Sequence, residues 1–148
     1  MDNLVIDICV RKCECFNKNY NTRKTTVSKT LEKVYVVSRL KGDIRNNIEL
    51  TKKYCRFVDS IGKMPVASHI MYPAMGFDDT NPFEREKCRI YGLELLKLCD
   101  SVYCFIKDDV ISTGMREEIR VARELNIPIK YFRVLEGGYY ECTGYLYN

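Results

Sequence analysis

Two adjacent carboxylates, Glu117 and Glu118, stand in the stretch ISTGMREEIRVARELNIPI, residues 111–129. The apolar spacing predicts a helix from about 114 to 125, stopped by Asn126 and Pro128. Acids at a helix start are ordinary, because they offset the positive end of the helix dipole. A carboxylate at the rim of a binding crevice has another use. It can attack an anomeric carbon to form a covalent glycosyl intermediate, while a second acid helps to protonate or orient the leaving group. Asp100, Asp108 and Asp109 are the further acids near it in sequence.

Two other stretches carry usable chemistry. SRLKGD, residues 38–43, places a hydroxyl, two cations and a glycine before a predicted helix. Backbone N–H groups there, with Arg39 or Lys41, suit a phosphate; an exposed charged turn is the plainer reading. The P-loop and dinucleotide glycine patterns are both absent. His69, the single histidine, ends the stretch MPVASH. It is either structural or, as a neutral imidazole, a hydrogen-bonding partner for a sugar or phosphate.

Regular elements must position these groups. KVYVVS (33–38), MPVASH (64–69), DSVYCFI (100–106) and IPIKYF (127–132) read as strands. Between them lie helical patterns. In the first, Asp43 is the N-cap, Ile44, Ile48, Cys55 and Val58 share a face, and Gly62 is the stop. In the second, FEREKCRIYGLELLKLC, the residues Ile90, Leu93, Leu96 and Leu98 are expected to pack inward. Residues 70–82, rich in Pro, Gly and Asp, read as a loop. The alternation predicts an α/β fold. Four to five mostly parallel strands carry helices on both faces, in a Rossmann- or flavodoxin-like arrangement. Ligands bind such sheets beyond the carboxyl ends of the strands. That makes the loops after Ser38, His69 and Ile106 the candidates. Residues 1–32 are expected to add an N-terminal strand or hairpin, 33–132 to form the core domain, and 133–148 an aromatic-rich tail. The four tyrosines of that tail suit a hairpin packed on the sheet, a subunit contact or an aromatic wall for a base.

The net charge of +4 is too mild for a protein that coats DNA or RNA polymers. No apolar run is long enough to span a membrane, and no export signal is present. Most of the eight cysteines sit singly within apolar patterns, the habit of reduced thiols in a cytoplasmic protein. Cys9, Cys13 and Cys15 lack the paired spacing of a zinc site, so no metal is expected.

Residues 34–132 resemble the nucleoside 2-deoxyribosyltransferase superfamily, including a branch common in bacteria and phages. They are also similar to the 2'-deoxynucleoside 5'-phosphate N-hydrolases. The resemblance rests on VYVVSRLKGD, PVASH, LELLKLCDSVYCF and GMREEIRVARELNIPI, in that order. In the superfamily the glutamate of a G-x-x-x-E-[LI]-x-x-A pattern is the nucleophile. Gly114, Glu118, Ile119 and Ala122 fit it, which implies that role for Glu118 and leaves Glu117 as a surface charge. Asp100 matches the aspartate that opens the preceding strand and assists at the leaving base. Ser38, Lys41 and Gly42, with Arg39 among them, match the turn that contacts sugar or phosphate. His69 matches a histidine at the end of the second strand, and Gly114 and Met115 join the substrate-binding set. Arg120 stands where the family has glycine, and Arg116 and Glu117 replace smaller residues, which implies a larger or more polar ligand.

The implied activity is cleavage of the N-glycosidic bond of a deoxynucleoside or its 5'-monophosphate, by hydrolysis or transfer, without metal or organic cofactor. The implied assembly is a homo-oligomer, a dimer or larger, whose neighbours complete the pocket. The alternative is a non-catalytic nucleotide-binding protein, such as a phage protein that captures or degrades a nucleotide signal of host defence.

Overall fold

The computed structural model describes residues 30–138 and 140–143. The expected strand or hairpin within residues 1–32 and the cysteines Cys9, Cys13 and Cys15 therefore lie outside the described residues, apart from the last three positions of that segment.

Among the described residues, five strands form one sheet: β1 (Lys33–Val37), β2 (Met64–Val66), β3 (Ser101–Lys107), β4 (Ile129–Val134) and β5 (Tyr140–Thr143). Their spatial order is β2-β1-β3-β4-β5. The first four run parallel, with Lys33 opposite Met64, Val34 opposite Ser101 and Val102 opposite Ile129. Helices cover both faces, which is why β1 and β3 are apolar at nearly every position. Successive side chains point to opposite faces. Val34 and Val36 thus join a core under the helix α1 (Ile44–Ser60), together with Tyr54, Phe57 and Val58. Tyr35 and Val37 join a second core with Leu96 of α3 (Pro82–Lys97) and Met115, Ile119 and Ala122 of α4 (Thr113–Glu124). The α/β class, the mostly parallel sheet and the two helical layers agree with the expectation from sequence.

Four details differ. Residues 70–82 are not all loop: α2 spans Ser68–Ala74, so the strand before it ends at Val66 and His69 lies on a helix. Pro73 falls in the last turn, where it forgoes a single backbone bond. The buried face of α1 is also rotated. Thr51, Tyr54, Phe57 and Val58 are buried, whereas Ile44, Ile48 and Cys55 are only half-buried. Rings take the centre because Tyr54 stacks on Phe105 at 4.5 Å and Phe105 on Phe132 at 5.1 Å. On α3, Leu96 is buried but Ile90 is 44% and Leu98 70% exposed, since the helix turns Gly92 inward instead. Finally, the sheet does not stop at residue 132. β4 continues to Val134, and β5 pairs with it antiparallel, placing Tyr140 of the aromatic tail within the first core.

Asp43 and Asn81 cap α1 and α3 as side-chain acceptors, and Pro82 opens α3 where its missing N–H costs nothing. Cys55, Cys88, Cys99 and Cys104 are free thiols. Among the described residues, no helix is long and apolar enough to cross a membrane.

Candidate functional site

The crossover after β1 goes to one side of the sheet and β3 lies on the other, so strand order reverses between β1 and β3. At such a switch point the loops beyond the carboxyl ends diverge and leave a crevice. A cleft of about 900 Å³ opens there. The loop after β1 forms one wall, α2 and α3 another, and the loop after β3 with the start of α4 the floor.

Glu118 lines this cleft and is 9% exposed. Its Oε1 accepts a 2.7 Å hydrogen bond from the Tyr35 hydroxyl. The Tyr35 and Ser68 hydroxyls lie 2.8 Å apart. Tyr35 has one proton and gives it to Glu118, so Ser68 donates to Tyr35. Oε2 of Glu118 is buried and has no protein partner among the described residues. One carboxylate oxygen is therefore fixed, and the other keeps its acceptor capacity unused in the wall of the cleft. Burial pushes the Glu118 carboxyl up to about 8; the Tyr35 hydrogen bond opposes this and the neighbouring Glu117 adds to it. Burial, and then the charge of Glu118, hold the Tyr35 phenol well above its ordinary value.

Gly92 of α3 makes room for this chain of hydroxyls. A Cβ at that position would stand 3.3 Å from both Ser68 Oγ and Tyr35 Oη. Gly92→Ala would offset that crowding with a helix-propensity gain of about 1 kcal/mol. Gly92→Val adds two methyls and loses most of that gain. It is expected to destabilise the fold by about 1–3 kcal/mol, as overpacking does, and to displace Tyr35 from Glu118. Denaturant unfolding of the two variants checks this, with valine clearly below alanine as the expected order.

The helix-dipole reading of the two acids fails on geometry. α4 begins at Thr113, with Ser112 as its N-cap, so Glu117 and Glu118 lie beyond the first turn, where the dipole effect has faded. Nor is Glu117 a free surface charge. It lines the cleft, and its Oε1 accepts a 2.6 Å bond from Nη1 of Arg89 on α3. The same guanidinium holds both oxygens of Glu86, at 2.9 and 2.7 Å. Arg120 pairs with Glu124 on the exposed face of α4 and does not line the cleft, nor does Arg116. Of the three departures from the family pattern, only Glu117 reaches the pocket.

Among the other residues expected at the site, Arg39, Lys41, Gly42, His69, Gly114 and Met115 all line the cleft. Arg39 Nε bonds the Lys41 carbonyl at 3.0 Å, and Asn47 of α1 bonds the carbonyl of Leu40 at 2.9 Å, fixing the loop after β1. Gly42 has a φ of 105°, which a side chain rarely adopts, and an added Cβ would press on the Arg39 guanidinium. His69 has a buried Nδ1 without a partner among the described residues, and burial pushes its imidazole down to about 4, so the ring is neutral.

Two expected residues are not brought to the cleft. The Ser38 hydroxyl is buried against Thr51 of α1 at 2.7 Å and serves packing. Asp100 precedes β3, so it lies at the amino edge of the sheet, whereas ligands bind beyond the carboxyl edge. Its Oδ2 accepts from the Lys33 backbone N–H at 2.7 Å and lies 3.5 Å from Lys33 Nζ. Asp109 pairs with Arg133 and also lies outside the cleft. Conversely, Tyr35, Ser68, Gly92 and Arg89 were not singled out in the sequence. The alternation of KVYVVS places Tyr35 and Val37 on one face, but no local signal says that this face carries Glu118. Tyr72 and Phe77, from the segment read as loop, add an aromatic wall with ring centres 5.9 Å apart.

Solved structures of other proteins share this architecture, and two of them are 2-deoxyribosyltransferases. One is the 2-deoxyribosyltransferase of the psychrotolerant bacterium Bacillus psychrosaccharolyticus, 18% identical, with a TM-score of 0.55 over 78% of this chain and 77% of that chain. The other is a 2-deoxyribosyltransferase of Leishmania mexicana, 11% identical, with a TM-score of 0.51 over 74% of this chain and 78% of that chain. At these identities the likeness is one of fold. The search of curated proteins gave no significant match. A family model described as a domain of unknown function, DUF7768, matches residues 32–132. That span holds β1 to most of β4 and every side chain of the cleft named above, and the chain belongs to the DUF7768 family.

Proposed function

We propose that the protein cleaves the N-glycosidic bond of a deoxynucleoside or its 5'-monophosphate, with Glu118 as the nucleophile. The observation that carries this reading is the asymmetry of Glu118: Oε1 tied to Tyr35, and Oε2 unpartnered at the floor of a cleft. Oε2 attacks C1', the bond from C1' to the base nitrogen breaks, and its electron pair leaves with the base. Water, or a second base, then attacks C1' and releases the carboxylate. Asp100 is remote from the cleft, so the departing base takes its proton from solvent. The neutral His69 imidazole and the Arg39–Gly42 loop bind the sugar and any phosphate, and Tyr72 and Phe77 offer faces to the base. The protein works as a cytoplasmic homo-oligomer on small molecules rather than on a nucleic-acid polymer.

The test is incubation with deoxynucleosides and deoxynucleoside 5'-monophosphates, followed by chromatography for free base. Base release that vanishes in Glu118→Gln is the expected result. Tight nucleotide binding without release, unchanged by that substitution, would favour the non-catalytic binder.

A further inference from the structure

We propose that Arg89 is a positioning residue for Glu118: by clamping Glu117 and Glu86 on the cleft wall, it supplies the positive charge that offsets a second carboxylate beside the attacking one. The inference rests on the reading of Glu118 given above.

Glu117 and Glu118 are consecutive on α4, and both face the cleft. Two carboxylates sharing a site resist ionising together, so an uncompensated Glu117 would push the ionisation of Glu118 to still higher pH and leave less of it able to attack. Arg89 meets Glu117 from the opposite wall at 2.6 Å while gripping both oxygens of Glu86. A planar guanidinium can serve two carboxylates in this way, whereas a lysine ammonium is a single point of charge. Glu86 orients the fork, and the remaining nitrogen is spent on Glu117. The cleft's other cations, Arg39, Lys41 and Arg85, make no hydrogen bond or ion pair to Glu117 or Glu118 among the described residues, and the neighbouring groups carry no positive charge. Tyr35 and Ser68 are neutral hydroxyls, Cys104 of β3 is a buried thiol, and His69 on α2 is neutral. Glu86 and Glu117 together hold the Arg89 guanidinium protonated above its ordinary range.

Arg89→Met, Arg89→Lys, Glu117→Gln and the double variant Arg89→Met/Glu117→Gln separate this role from a merely structural one. The primary readout is carbon-13 NMR titration of glutamate carboxyls, with the Glu118 signal assigned by its loss in Glu118→Gln. This readout needs no turnover. The Glu118 midpoint is expected to move up by about half a unit to one unit in Arg89→Met, to move part of that distance in Arg89→Lys, and to return in the double variant. The rise of base release with pH should move with it. An unmoved midpoint in Arg89→Met, or the same shift in the double variant, would overturn the proposal. A midpoint that moves in a protein releasing no base would leave the role of Arg89 standing and sink the glycosidase reading instead.

Discussion

Glu118→Gln is expected to reduce base release by about a thousand-fold or more, the scale of loss when a covalent nucleophile is removed. The amide keeps an oxygen to accept from Tyr35, so the fold and the cleft should survive. Stability supplies an independent readout. The folded-state carboxyl stands at about 8, above its ordinary 4.5, because burial disfavours the charge. A group raised in this way gives stability that is complete below about 4.5 and is lost as pH rises through about 8. At pH 7 the loss relative to a non-titrating residue is about 3 kcal/mol, taking 1.4 kcal/mol per unit between the two values. Glutamine does not titrate. The melting-temperature advantage of Glu118→Gln over the wild type should therefore grow steadily from pH 5 to 8. A constant difference across that range would mean that Glu118 is not a buried titrating acid.

The second large effect is on rate. The attacking form is the carboxylate, and kcat/KM follows the ionisation of the free enzyme. With a midpoint of about 8, kcat/KM should climb close to ten-fold per pH unit below it and level off above it. That is about fifty-fold between pH 6 and 8, since half of the carboxyl is ionised at the midpoint. Little else in the cleft should blur the curve, since His69 titrates near 4 and Tyr35 well above its ordinary range. Activity thus rises over the same window in which the folded state loses the stability tied to the neutral acid. A profile measured in several buffers at constant ionic strength decides the matter. A flat profile, or one falling from pH 6 to 8, would assign Glu118 to proton donation or to no chemical role.

Much of this was legible in the chain itself. Valine- and tyrosine-rich runs alternating with helical spacing are enough for a parallel α/β sheet, because hydrophobic periodicity records how many faces an element buries. The pattern Gly114, Glu118, Ile119, Ala122 singled out one acid of a pair, and the family match spans the same part of the chain. The rule that ligands lie beyond the carboxyl edge also pointed to segments that line the cleft.

What the sequence could not decide were facts about contact between distant residues. Asp100 and Ser38 sit in the right strings of letters, yet one is at the wrong edge of the sheet and the other faces Thr51. Tyr35 and Glu118 are 83 positions apart, and Arg89 and Glu117 are 28 apart. No local periodicity encodes such meetings. They arise only when β1 pairs with β3 and α3 packs beside α4. Burial then sets the chemistry, because the same carboxyl that would be an ordinary acid at a helix surface becomes, at the floor of the cleft, one that ionises only near pH 8. The sequence by itself determined the sheet, its helical layers and the identity of the candidate acid. The tertiary structure alone decided which groups surround that acid, and through them what it can do.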